Sequence, residues 1–138
     1  MASNPLGKRV FSNKEIEIEA IGYVLGYLQR KGEKPERCSH GADVISNGKY
    51  IDVKGCLKRE TNIRMTKQAL DFINKAGKMK QGSFFIYYVY DIDSENPKLM
   101  IFDHDTFEKN KVEEKKWIIQ PFKIKKETDS IPLPKRKS

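Results

Sequence analysis

Apolar and polar positions recur along this chain with two periods, and each period marks a different kind of element. From Asn13 to Arg30 the apolar residues Ile18, Ile21, Val24, Leu25 and Leu28 form one stripe at helical spacing. Ser12 precedes this run and Glu15 stands three residues later, the capping-box arrangement that starts a helix. Gly32 stands just past the last turn, where a glycine ends one. A helix over Asn13–Arg30 is therefore predicted. At about 100° per residue Glu17 falls inside the stripe, one turn before Ile21, whereas Glu15 and Glu19 fall on the opposite side.

The period then shortens to two. Ala42-Asp43-Val44-Ile45 and Tyr50-Ile51-Asp52-Val53 read as short strands, joined by the hairpin pair Asn47-Gly48. In the second strand Asp52 and Lys54 point one way and Ile51 and Val53 the other. Cys56-Leu57-Lys58 extends that strand outward, and Lys58-Arg59-Glu60-Thr61-Asn62 reads as a polar loop before a short strand at Ile63-Arg64-Met65. Thr66 caps a second helix over residues 67–75, with Leu70 and Ile73 inward. Residues 83–90 are the most apolar run and read as a central strand covered on both faces. Asn96-Pro97 turns the chain into a strand at Lys98-Leu99-Met100-Ile101-Phe102. Asp105-Thr106-Phe107 reads as a short helix or turn, and residues 111–116 as a solvated linker. Trp117-Ile118-Ile119 and Phe122-Lys123-Ile124 read as one last strand interrupted at Pro121. Residues 1–12 are expected to form a flexible arm, 13–124 one domain, and 125–138 a basic, disordered tail.

Composition narrows the class. A length of 138 residues fits one domain with a single core. No apolar run approaches 18 residues and no signal-peptide pattern is present, so no membrane is expected as a partner and a cytoplasmic location is. Twenty-seven Lys and Arg against 19 Asp and Glu give a net charge of +8, which favours a polyanion. Cys38 and Cys56 are too few for a disulfide framework and read as free thiols. Together with His40 they lack a recognised zinc spacing, and His104 reads as a loop histidine. The aromatics of 83–90 suggest either a base-stacking platform or core, and the unbroken apolar run favours core.

The hairpin carries the chemistry. Pairing across Asn47-Gly48 brings Asp43 near Asp52, with Lys54 beside them. Two adjacent carboxylates repel, and one tends to keep its proton unless a cation intervenes. A hard cation such as Mg²⁺ takes carboxylates, carbonyls, waters and phosphate. Lys54 could stabilise phosphate charge or help to deprotonate a water. The plain alternative is a surface hairpin with ordinary solvated charges, since a D-x-K tripeptide alone is common. Glu17 has two readings as well: a first-turn acid favoured by the helix dipole, or a group that reaches the site.

Gly41-Ala42-Asp43-Val44 and Ile51-Asp52-Val53-Lys54-Gly55 resemble the two motif strands of the PD-(D/E)xK nuclease superfamily. The resemblance spans about residues 14–107 in the order helix, hairpin, strand, helix, strand, strand. Ala42 stands where the family name has Pro, and Asp52 where Glu is commoner; the shorter Asp52 alters the reach to a metal. The resemblance implies an α/β fold: a restriction-endonuclease-like αβββαβ core with a central mixed β-sheet flanked by helices. It implies a Mg²⁺-dependent endonuclease acting on DNA, with Mn²⁺ able to substitute. In that scheme Asp43, Asp52 and the Val53 carbonyl hold the metal, and Lys54 orients or activates the water that displaces the 3′ oxygen. Glu17 assists, with Glu19 as runner-up. Arg64, Lys67, Lys78 and Lys80 are candidate phosphate contacts, and Gln68 is either a site-facing polar residue or an ordinary exposed one. The alternative is a nucleic-acid-binding module that keeps the fold with little or no cleavage. A homodimer is left open.

Overall fold

The capping box forms at Ser12. Ser12 Oγ accepts the Glu15 N–H at 3.1 Å, and Glu15 Oε1 accepts the Ser12 N–H at 3.1 Å. Helix α1 then runs over Asn13–Arg30. It ends in a Schellman turn: the Gly32 N–H bonds the Gln29 carbonyl at 2.9 Å and the Glu33 N–H bonds that of Leu28 at 3.0 Å. Gly32 has φ +85°, a conformation that side chains rarely adopt. The computed structural model describes residues 12–38, 42–59, 63–65, 84–113, 117–123 and 130–134. The N-terminal arm at 1–11 and the expected helix at 67–75 lie outside these.

Strand β1 (Glu36–Arg37) pairs with β2 (Val44–Ser46), which pairs through a hairpin with β3 (Lys49–Gly55). Asn47 at φ 50° and Gly48 at φ 75° have the paired positive angles of a type I′ turn. Ser46 Oγ donates to Glu33 Oε1 at 2.6 Å and Lys49 Nζ to Glu33 Oε2 at 3.1 Å, tying this turn to the end of α1. The Ser46 hydrogen bond, more than the Lys49 charge, holds the Glu33 carboxyl below its usual range.

Strand β4 (Ile63–Met65) leads away from this sheet; β5 (Phe84–Tyr90) returns to it parallel to β3, and β6 (Lys98–Asp103) runs antiparallel to β5. Asp103 Oδ1 accepts the Thr106 N–H at 2.7 Å and so caps α2 (His104–Asn110). Strands β7 (Lys111–Glu113) and β8 (Trp117–Ile119) join β4 in a small sheet of order β4-β8-β7. A 3₁₀ turn at Pro121–Lys123 follows, and β9 (Ile131–Pro132) completes the main sheet, β1-β2-β3-β5-β6-β9. The fold is mixed α/β, with one parallel pair, β3 with β5, in an otherwise antiparallel six-stranded sheet.

The sheet is covered on both faces. Ala20, Ile21, Val24 and Leu28 of α1 pack with Ile51, Val53, Tyr87 and Val89 on one face. On the other, Ile86, Tyr88, Tyr90 and Phe102 pack with Ile63, Phe107 and Ile119. Each such side chain contributes about 1.5–3 kcal/mol by leaving water. Tyr88 and Tyr90 are only 2% exposed, so these strand aromatics are core.

Several expectations need correction. Ile18 is not in the buried stripe but 54% exposed. The contact line of α1 runs through Ile16, Ala20, Val24 and Leu28, and Ile18 lies about 200° round from Ile16. The strand before the site ends at Gly55; the Cys56 N–H bonds Val89 O instead, and Cys56, Leu57 and Lys58 form a loop. Lys111–Glu113 is strand β7 rather than linker, and Phe122 and Lys123 lie in the 3₁₀ turn rather than in a strand. His104 begins α2. In the tail, Ile131 and Pro132 pair with Leu99 and Lys98, Leu133 is buried, and the Ser130 hydroxyl hydrogen-bonds Tyr90 OH, so the domain reaches past residue 124.

Candidate active site at the open edge of β3

Strand β3 outruns its partner. Among the described residues the backbone bond between the two nearest the end of β3 is the Asp43 N–H to the Ile51 carbonyl at 2.9 Å, and the Asp43 carbonyl in turn accepts the Cys38 N–H at 2.9 Å. Residues 53–55 therefore have β5 on one side and a cleft on the other. The Val53 N–H, which faces that cleft, is taken by Asp43 Oδ2 at 2.7 Å. This bond fixes the Asp43 side chain at the strand edge.

Asp52 is 7% exposed. Its register partner on β5 is Ile86, so it stands on the face opposite α1 among apolar neighbours. Lys54 Nζ lies 3.2 Å from Asp52 Oδ2, an ion pair by distance. Beyond this ion pair, Oδ2 has no hydrogen-bond partner among the described residues. Burial raises the Asp52 carboxyl to about 7; Lys54 pulls it back only in part and Asp43 pushes it further up. A buried carboxylate oxygen without a hydrogen bond is uncommon and calls for a reason.

Gly55 brings the helix to the site. A Cβ at Gly55 would meet the Ala20 Cβ at 2.6 Å and the Ile16 carbonyl at 3.2 Å, so only a glycine lets α1 rest directly on the end of β3. That contact sets the first turn of α1 over the strand end. The resulting cleft has a volume of about 630 Å³. Its walls are Asn13, Ile16 and Glu17 from α1, Asp43 from the start of the hairpin, and residues 52–58.

The structure thus brings Glu17, Asp43, Asp52, Val53 and Lys54 to one cleft. Glu17 is exposed on its wall, and Glu19 is not part of the lining. Arg64 lies on β4; Lys67, Gln68, Lys78 and Lys80 lie outside the described residues. Lys58 and Asn13 line the cleft although the sequence did not single them out. The signal available for Lys58 was a cation placed directly after the motif strand, in a stretch read only as polar loop. Among the described residues no three His, Cys, Asp or Glu side chains cluster to hold a metal. Cys38 and Cys56 are not joined by a disulfide, and His40 lies outside the described residues. No described helix is long and apolar enough to cross a membrane.

These features define a mixed α/β domain with a carboxylate–lysine cleft at the end of a parallel strand pair. The chain belongs to the family described as Protein NO VEIN, C-terminal, whose model matches residues 16–102. The match runs from the first turn of α1 through β6 and includes Glu17, Asp43, Asp52 and Lys54. No curated protein and no solved structure matches the chain.

Proposed function

We propose that this chain is a metal-dependent endonuclease of the PD-(D/E)xK type, hydrolysing phosphodiester bonds in DNA. One observation carries the reading: Asp52, buried and with the Lys54 ammonium as the one partner of its Oδ2 among the described residues, shares a cleft with Asp43 and Lys54. An atom so placed suits a cation. Two carboxylates with a neighbouring backbone carbonyl suit Mg²⁺, which keeps several waters and binds substrate phosphate rather than an all-protein cage. Asp43, Asp52 and the Val53 carbonyl would hold it. Bound there, it supplies Lewis-acid chemistry: neutralised phosphate charge and a more acidic water.

The side chains have separable tasks. The Val53 N–H orients the Asp43 carboxylate toward the site. Lys54, partly exposed and 3.2 Å from Asp52, presents its ammonium to a phosphate oxygen or to the attacking water. Glu17 on the opposite wall accepts a proton from that water. Water attacks phosphorus and the 3′ oxygen leaves. Lys54 and Lys58 receive the phosphate backbone, and the net charge of +8 draws the polyanion in.

Glu17 stands exposed on the cleft wall and is not grouped with Asp43 and Asp52 into a set of three metal ligands among the described residues, which favours a second reading, a nucleic-acid-binding module that cleaves little. A cleavage panel separates the two. Wild type and Lys54→Ala are incubated with DNA and RNA duplexes, single strands and branched structures in Mg²⁺ or Mn²⁺. Cleavage by wild type alone supports the nuclease. Salt-dependent binding of both proteins with cleavage by neither supports the binding module.

A further inference from the structure

Phe122 and Ile18 are the large apolar side chains left exposed among the described residues, Phe122 at 41%. Phe122 lies edge-on over two buried rings, with centroids 6.5 Å from Tyr88 and 5.2 Å from Tyr90. Tyr88 and Tyr90 are themselves stacked at 5.3 Å and 19°. Arg59 spreads its guanidinium over the outer rings, 5.6 Å from the Tyr90 centroid and 5.5 Å from that of Phe122. Its Nε pairs with Asp91 Oδ2 at 3.3 Å, which steadies the side chain from one end. A planar cation and an aromatic ring are thus held together at the surface.

Two relationships place this pair beside the cleft. Tyr88 is the register partner of Lys54 in the parallel pair, so the two side chains rise on the same face of the sheet. Arg59 directly follows Lys58, which lines the cleft. A cover for two buried tyrosines needs only apolar bulk. A guanidinium laid across a ring that stays open is instead the chemistry by which proteins stack single-stranded bases.

We infer that Phe122 and Arg59 form a stacking platform for an unpaired nucleobase next to the scissile phosphate. The inference rests on the nuclease reading and narrows its substrate class: strands with unpaired nucleotides at the cleavage point, such as loops, flaps and single strands. In a continuous duplex both faces of each base are already covered by neighbours, and the platform has nothing to receive.

The test uses the full chain in EDTA, so that no strand is cut, and an oligonucleotide with an end-label for anisotropy and 2-aminopurine at an unpaired position. Wild type is expected to bind and to quench the 2-aminopurine. Phe122→Leu and Arg59→Lys are expected to bind roughly 5- to 150-fold more weakly, the range for losing one stacked base, and to leave the probe bright. Phe122→Trp should bind at least as well as wild type. With the same probe inside a continuous duplex, wild type and variants should not differ. Unchanged affinity and quenching in Phe122→Leu, or an equal loss on duplex and unpaired probes, would overturn the platform alone. No binding of any oligonucleotide by wild type would overturn the nucleic-acid reading beneath it. Should Phe122→Leu not fold, Arg59→Lys carries the same expectation, because it keeps the charge of an exposed side chain and removes the plane.

Discussion

Asp43 Oδ2 accepts the Val53 N–H at 2.7 Å, so a carboxylate takes the hydrogen bond that a longer β2 would have supplied. The same side chain thereby has a structural task and a proposed metal task, and substitution can part them. Asp43→Asn keeps an acceptor oxygen and loses the charge. It should unfold within about 0.5 kcal/mol of wild type in urea, yet neither cleave nor bind Mn²⁺ in calorimetry. Asp43→Ala loses both and should cost a further 1–2 kcal/mol or so, because the Val53 N–H loses its partner. Normal cleavage by Asp43→Asn would remove Asp43 from the site.

Asp52 makes stability depend on pH in an unusual direction. Its carboxyl is raised to about 7 from an ordinary 3.8, so the folded state binds its proton more tightly than the unfolded chain. The stabilisation is complete below the ordinary value and is lost as pH rises through the raised one. Without metal, the urea midpoint should therefore fall between about pH 4 and about pH 7, while Asp52→Asn shows a flatter profile over the same range. Mn²⁺ competes with that proton and should bind more tightly at the higher pH. Parallel profiles in the two proteins would show that Asp52 is charged throughout.

Gly55 sets the distance between α1 and β3. Gly55→Ala would force its Cβ against Ala20 and should destabilise by about 1–3 kcal/mol, typical of overpacking. Ala20→Gly removes the nearest opposing atom. The double variant should recover part of the loss beyond additivity, read from urea unfolding of all four proteins. Strict additivity would place the strain elsewhere, for example against the Ile16 carbonyl.

Glu17 and Glu19 offer the sharpest comparison on the helix. Glu17 lines the cleft and Glu19 does not. Glu17→Gln should lower the single-turnover cleavage rate on the order of 100-fold, the lower end of general acid–base effects, with little change in melting temperature. Glu19→Gln should be nearly silent. If both changes alter only stability, by a few tenths to about 1 kcal/mol, Glu17 is simply a first-turn acid that favours the helix dipole.

What the sequence disclosed was local. Ser12 with Glu15, Gly32, and Asn47-Gly48 each act within a few residues, and the helix and the hairpin follow from them. The facing of Asp43 and Asp52 follows in turn from hairpin register. On α1, Ile21, Val24 and Leu28 are buried as their spacing predicts, but the first turn did not disclose its buried side, because Ile18 and Ile16 are equally apolar and the choice is made by Ala20 meeting Gly55. Strand β9 pairs only two residues with β6 from far along the chain, too few for a periodic signal. Arg59 and Phe122 meet only through the folded Tyr88–Tyr90 stack, and no spacing in the sequence announces such a contact.

The parallel pairing of β3 with β5 also bears on the order of folding. The hairpin closes over two residues, which is fast, whereas joining Gly55 to Phe84 in one sheet requires a long loop to close first. A chain caught between these steps holds Asp52 in water, as an ordinary acid. The raised affinity of Asp52 for its proton arrives only when β5 docks and removes the solvent. A rapid-mixing experiment that follows proton uptake during refolding at neutral pH should therefore find it in the late phase, with the closing of the sheet.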